Sequence, residues 1–222
     1  MAMTTILLDL DGTLVDPAEG IVASCRYALD DLGCPADPDD DLRWVIGPPV
    51  RESFARLVGS RANPEAALRR YRARYGDIGF KQATVYDGIP EALDDLRAAG
   101  FRLLVCTSKA RVFAERVVEH FDLAPRLDGV YGPELDGRWD DKGDLIGHIL
   151  ATEDLAVEAI CMVGDRKHDI LAAARHGAPA IGVLWGYGDE AELRQAGATL
   201  LIERPGDLVA ACEALATRPP EA

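Results

Sequence analysis

The sequence predicts an α/β protein: a parallel sheet covered by helices on both faces, interrupted near its start by an all-helical insertion. Three observations carry this. Short apolar runs of strand length, at residues 6–8, 101–106 and 160–163, end directly in Asp, Thr or Gly-Asp. Segments with apolar residues at helical spacing alternate with those runs, as strand–helix–strand units require. Between residues 16 and 83 only the helical spacing is present.

Taken in order, the run at 6–8 is too short for an isolated helix and leads into Asp9, Asp11 and Gly12. After Asp16 the pattern becomes helical: Pro17 suits a first turn, Ile21, Val22, Cys25, Ala28, Leu29 and Leu32 share a face, and Gly33 ends the segment. An acidic loop follows, then a short helix at 42–46 broken by Gly47-Pro48-Pro49. Helical spacing returns through Val50, Phe54, Leu57 and Val58, and again from Pro64 through Leu68, Tyr71 and Tyr75. Beyond residue 83 the alternation resumes. Helices are expected at 89–99, 112–121, 143–151, 170–176, 190–196 and 207–216. Strands are expected at 101–106, 127–131, 159–163, 180–184 and 199–202, with a turn or small hairpin at 132–139. The chain therefore divides into a core of 1–15 and 84–222 and a helical insertion of 16–83. The tail after Thr217, with Pro219 and Pro220, reads as mobile.

With 222 residues the chain can build one sizeable core and a smaller satellite. No apolar run approaches the roughly 20 residues of a membrane span, and Asp9 and Asp11 interrupt the first apolar stretch too soon for a signal peptide. The five cysteines show no paired spacing, which favours a reducing cytoplasm. A net charge of −14 argues against a nucleic-acid polymer as partner. The imbalance lies in the core: residues 16–83 hold 10 Lys and Arg against 11 Asp and Glu, leaving 14 against 27 elsewhere. A small anionic substrate would need a metal or particular basic residues. Oligomeric state is not readable from the sequence.

Asp9 and Asp11 are two residues apart at a strand end, so their side chains share a face while the chain is extended, and Gly12 lets the backbone curl around what they hold. Close carboxylates repel, and either one is protonated or both share a cation. A hard ion such as Mg²⁺, held by carboxylates and substrate phosphate oxygens, suits them. One Asp can then attack phosphorus while the other protonates the leaving oxygen and later takes a proton from water. Thr107 and Ser108, after the strand LLVC, offer hydroxyls that hydrogen-bond a phosphoryl oxygen or cap a helix. Lys109 reads either as a further anion contact or as a solvated lysine. Lys142, at a helix start, supplies a point charge for a phosphoryl group. In VGDRKHDI, residues 163–170, Asp165 and Asp169 lie about one helical turn apart and can both face an ion placed by Asp9. His168 reads as a bystander.

ILLDLDGTLVD at residues 6–16, followed in order by Thr107, Lys142 and Asp165, resembles the haloacid dehalogenase-like hydrolases, in the branch of phosphoglycolate phosphatases and 5′-nucleotidases. The resemblance covers nearly the whole chain. It implies a Rossmann-like catalytic core, with 16–83 as a cap that closes over the active site. It further implies that Asp9 is the nucleophile and forms an aspartyl-phosphate, and that Asp11 is the general acid and base and gives Mg²⁺ its backbone carbonyl. Thr107 would hold the phosphate and Lys142 would be the third motif. Asp165 would bind Mg²⁺ directly, with Asp169 a ligand or a water-mediated support. The dehalogenases lack the second Asp, so Asp11 favours phosphoryl transfer. Gly143 stands where the branch often has Pro.

The expected activity is phosphomonoester hydrolysis of a small phosphorylated metabolite. WVIGPPVRESF and GVLWGYG look like members named 5′-nucleotidase or phosphoglycolate phosphatase, so a nucleoside 5′-monophosphate leads and phosphoglycolate is a close second. Trp44, Phe54 or Tyr75 could stack a base. Arg43, Arg51 and the Gly47-Pro48-Pro49 loop are candidate substrate contacts. Two other functions fit the same fold: a β-phosphoglucomutase-like phosphotransferase, and a non-catalytic phosphate-binding regulatory protein. The complete set of Asp9, Asp11, Lys142 and Asp165 argues against the second, because a binding module needs no nucleophile beside an acid.

Overall fold

The computed structural model describes residues 3–217, so the Pro219-Pro220 tail lies outside the described residues. β1 (Thr5–Leu8) is buried at every position. It is followed by β2 (Val15–Asp16), α1 (Ala18–Asp31), α2 (Val50–Val58), α3 (Pro64–Asp77) and β3 (Thr84–Val85). The chain continues through α4 (Ile89–Ala98), β4 (Arg102–Cys106), α5 (Arg111–His120), β5 (Gly129–Tyr131), α6 (Lys142–Thr152) and β6 (Ile160–Gly164). It closes with α7 (Lys167–Ala174), β7 (Ala180–Val183), α8 (Glu190–Ala196), β8 (Leu200–Ile202) and α9 (Leu208–Ala216).

Six strands form one parallel sheet in the order β5-β4-β1-β6-β7-β8. From β1 the chain moves outward to β4 and β5, then returns to β6 on the other side of β1. Such a reversal of direction opens a crevice beyond the carboxyl ends of the two central strands, where ligands of doubly wound sheets bind. Asp9 follows β1 and Asp165 follows β6.

Alternation along each central strand feeds two apolar layers. Ile6 and Leu8 of β1, Leu103 and Val105 of β4, and Cys161 and Val163 of β6 face one layer. Leu7, Leu104, Cys106, Ile160 and Met162 face the other, with α6 and α7 packed against them. All five cysteines are buried and unpaired, as small apolar thiols in such layers are.

The segment between β2 and β3 is helical, but its two ends pair as a short antiparallel ribbon, Val15 opposite Val85 and Asp16 opposite Thr84. The expectation of no strand within residues 16–83 is corrected only at Asp16, which pairs with Thr84 just beyond that range. A two-residue strand is too short to show an alternating pattern. The expected helix at 42–46 is a single 3₁₀ turn at Leu42–Val45, capped by the Asp41 carboxylate. Phe54 is fully buried against Tyr71, ring centroids 5.5 Å apart, and Tyr71 stacks on Tyr75 at 5.4 Å. Tyr75 then meets Phe113 of α5 edge-on at 5.5 Å, so one aromatic row links the helical segment to the sheet layer. Among the described residues no helix is long and apolar enough to cross a membrane.

Candidate active site

Three loops at the carboxyl ends of β1, β4 and β6, together with the start of α6, build the site. After β1 the Asp9 amide still bonds the Val163 carbonyl at 2.9 Å, so Asp9 leaves the sheet in register. The chain then folds back on itself: Gly12, with φ +88°, donates to Val15, and Leu14 and Val15 both donate to the Leu10 carbonyl. That curl holds Asp9 and Asp11 over the strand ends, both buried.

Asp9, Asp165 and Asp169 each offer a carboxylate oxygen, and these lie within 4.8 Å of one another. Lys142, the first residue of α6, is buried among them, 3.0 Å from Asp9 Oδ1 and hydrogen-bonded to Asp169. The Asp9 contact is an ion pair without hydrogen-bond alignment, so Asp9 Oδ1 accepts no hydrogen bond. Three carboxylates against one ammonium leave two negative charges unbalanced in a buried site, and such an excess calls for a cation or for protons. Burial, reinforced by Asp169 and Asp9, pushes the Asp165 carboxyl well above the usual carboxylate range. Burial also lifts Asp169 to about 6 despite the opposing pull of Lys142. Burial disfavours the Lys142 charge, but Asp169 and Asp9 outweigh it and hold the ammonium above its ordinary pKa.

One oxygen each of Asp165 and Asp169 is held by the backbone, and Asp165 Oδ1 accepts from the Thr13 hydroxyl at 3.4 Å. Asp165 Oδ2 accepts from the Tyr187 amide at 2.7 Å and Asp169 Oδ2 from the Arg166 amide at 3.0 Å. Gly12 and Gly186 lie so close to Asp165 that a Cβ on either would fall inside van der Waals contact with that side chain. The loop 185–188 also ties back to the β1–β2 turn, with Trp185 Nε1 donating to the Thr13 carbonyl at 3.0 Å and the Tyr187 hydroxyl bonded to Asp16.

Asp11 stands apart from the acidic trio. Its carboxylate is 2.7 Å from Lys109 Nζ, while its Oδ1 has no hydrogen-bond partner. Burial raises the Asp11 pKa and Lys109 partly offsets it. The Lys109 side chain is only 5% exposed, bonds the Tyr75 hydroxyl and lies 4.5 Å from the centroid of its ring. It is not a solvated lysine, the alternative that its sequence position had left open. Thr107, buried at the end of β4, accepts from the Lys109 amide at 3.2 Å and does not cap α5, whose N-cap is Ala110. A threonine hydroxyl that accepts one bond still has a proton to give.

Asp9, Asp11, Thr107, Ser108 and Lys109 line one side of a cavity of about 50 Å³. Val45, Gly47, Pro48, Val50, Arg72 and Tyr75 are among the residues that close it from the helical segment. Arg43 and Arg51 are not among the lining residues. Arg43 is exposed and paired with Asp41, while Arg51 bonds Glu65 and lies 3.4 Å from Asp140. Of the three aromatic residues considered for stacking, Tyr75 lines the cavity, Phe54 is packed inside the helical segment and Trp44 lies under Arg56. Two contributors escaped sequence reasoning. Arg72 shows no motif, and Arg166 lies within VGDRKHDI without any local sign that its side chain reaches Ile46.

An open α/β sheet with a carboxylate nest at its switch point, a buried lysine and a strand-end threonine can hold a metal ion beside an anionic group. Residues 6–183 match the family described as haloacid dehalogenase-like hydrolase, and the chain belongs to that family. It is similar to a 5′-nucleotidase of Pseudomonas aeruginosa, 44% identical over 85% of this chain and 86% of that one. It is also similar to the tyrosine-protein kinase PtkA of Mycobacterium tuberculosis, 42% identical over 82% of this chain and 62% of that protein. Relatives named phosphoglycolate phosphatase match as well. Among solved structures, a predicted phosphatase from Clostridium acetobutylicum superposes with a TM-score of 0.90 at 34% identity, over 96% of this chain and all of that one. The chain is thus a phosphatase of the haloacid dehalogenase-like family, with relatives named 5′-nucleotidase and phosphoglycolate phosphatase.

Proposed function

We propose that the enzyme hydrolyses a small phosphorylated metabolite with Mg²⁺, through a covalent phosphate on Asp9, and that a nucleoside 5′-monophosphate is its leading substrate with phosphoglycolate second. The observation that carries the ion is the buried trio of Asp9, Asp165 and Asp169, whose excess of two negative charges a divalent cation balances. Asp9, Asp165, Asp169 and the main-chain carbonyl of Asp11 would hold it. Bound there, Mg²⁺ would neutralise a site that otherwise repels phosphate and would polarise the phosphoryl oxygens.

The chain's own groups supply the rest. The Asp9 carboxylate, steadied by Lys142, forms the new bond to phosphorus as the ester P–O bond breaks. Burial raises the Asp11 pKa, which favours the protonated carboxyl that a general acid needs to give a proton to the leaving oxygen. Water then attacks phosphorus, Asp11 takes its proton, and Asp9 is released as carboxylate. Thr107 and Lys142 bind the phosphoryl oxygens, where charge builds in the transition state.

Preference for a nucleotide is supported by the 44% identical relative named 5′-nucleotidase. A cavity of about 50 Å³ holds only a few water molecules. A nucleoside needs more room, which residues 16–83 would give as a cap that swings on the β2–β3 ribbon.

A phosphate-release screen over nucleoside monophosphates, phosphoglycolate and sugar phosphates tests the reading. Asp9→Asn should abolish release from every substrate while leaving the fold intact by circular dichroism; retained turnover removes Asp9 from its role. Isomerised sugar phosphate without net phosphate release would favour the phosphoglucomutase-like alternative.

A further inference from the structure

Arg166 joins the acidic cluster to the helical segment. Its amide donates to Asp169 Oδ2 at 3.0 Å, while its Nη1 donates to the carbonyl of Ile46 at 2.7 Å, 120 residues away. Glu192 braces the guanidinium, accepting from Nε at 2.9 Å, and accepts the Lys167 amide at 2.9 Å as well. Gly47, next to Ile46, has φ +103°, and a Cβ on it would lie 2.9 Å from Arg166 Cγ. Gly47 and Pro48 line the cavity.

We propose that Arg166 is a positioning residue that couples the acidic ion site to the 46–48 roof, so that Mg²⁺ binding and roof closure favour one another. The inference rests on the Mg²⁺ reading above. With its side chain anchored on Ile46 and Glu192, Arg166 has a fixed backbone, and its amide holds Asp169 oriented before the ion arrives. With that anchor broken, the cost of ordering Asp169 falls on ion binding. Linkage makes the effect reciprocal: whatever tightens the ion when the roof is down must hold the roof down when the ion is bound.

The test uses the full chain and Mg²⁺ alone, with calorimetry for affinity and hydrogen exchange for the amides at 42–47. In the wild type Mg²⁺ should slow exchange of those amides. Arg166→Ala should bind Mg²⁺ roughly 5-fold or more weakly and lose that slowing. Arg166→Lys, which keeps a long cation within reach of the Ile46 carbonyl, should recover part of both. Gly47→Ala touches no carboxylate but forces the roof off Arg166, and it should weaken Mg²⁺ by a similar factor. It decides the matter should Arg166→Ala fail to fold. Wild-type Mg²⁺ affinity in Gly47→Ala, or roof amides indifferent to Mg²⁺ in the wild type, overturns the coupling alone. A wild type that binds no Mg²⁺ overturns the ion reading with it.

Discussion

Gly12 holds a φ of +88° one residue after the proposed general acid, and its α-carbon faces the Asp165 carboxylate with no room for a methyl group. Gly186 closes on the same carboxylate and on the Gly12 carbonyl. At the residue scale, then, two missing side chains let three acids approach one another. Gly12→Ala carries both the left-handed backbone penalty, roughly 1–2 kcal/mol, and the displacement of Asp165. It should lower stability by about 1–3 kcal/mol and weaken Mg²⁺ at least about 10-fold, an effect of the size seen when the surroundings of a metal ligand are disturbed. A thermal melt and a calorimetric titration check the two parts. Full Mg²⁺ affinity in this variant would mean that Asp165 does not need the glycine's space.

Between elements, the aromatic row from Phe54 through Tyr71 and Tyr75 to Phe113 is what seats the proposed cap. Phe54 is fully buried and has no polar duty, so Phe54→Ala should cost about 3–5 kcal/mol, read as a drop in the denaturation midpoint without loss of the Mg²⁺ site. The helices of this chain were legible because each buries one face and so writes a period into the sequence, and the central strands because burial on both faces leaves short apolar runs that end in polar residues. Asp9, Thr107 and Asp165 were legible as groups at strand ends for the same reason. The β2–β3 ribbon, with two residues a side, is too short to write a period. The pairing of Lys109 with Asp11, and the reach of Arg166 to Ile46, join loops distant in sequence, and polar contacts of that kind follow no spacing rule.

Within a molecule of net charge −14, an excess of two negative charges sits where charge costs most, in the buried nest of Asp9, Asp165 and Asp169 around Lys142. Without an ion, Asp169 titrates near 6 and Asp165 well above its ordinary value, with burial the main cause for both, while Asp9 and Lys142 face the same space. A carboxyl whose folded pKa is raised binds protons more tightly folded than unfolded. Its contribution to stability is complete below the unfolded value of about 4 and is lost as pH rises through the folded value. The ion-free protein should therefore lose stability between about pH 4 and pH 6 on account of Asp169, with Asp165 adding to the loss at higher pH. Mg²⁺ and protons compete for the same oxygens, so the same excess of Mg²⁺ should raise the melting temperature little near about pH 5 and clearly near about pH 7.5. At 100 times its dissociation constant the ion adds about 2.7 kcal/mol, which for a chain of this length is a rise of roughly 5–10 °C. Scanning calorimetry at the two pH values, with and without Mg²⁺, makes the comparison. An equal rise at both would show that the carboxylates are already ionised in the empty site and that protons do not hold the ion's place.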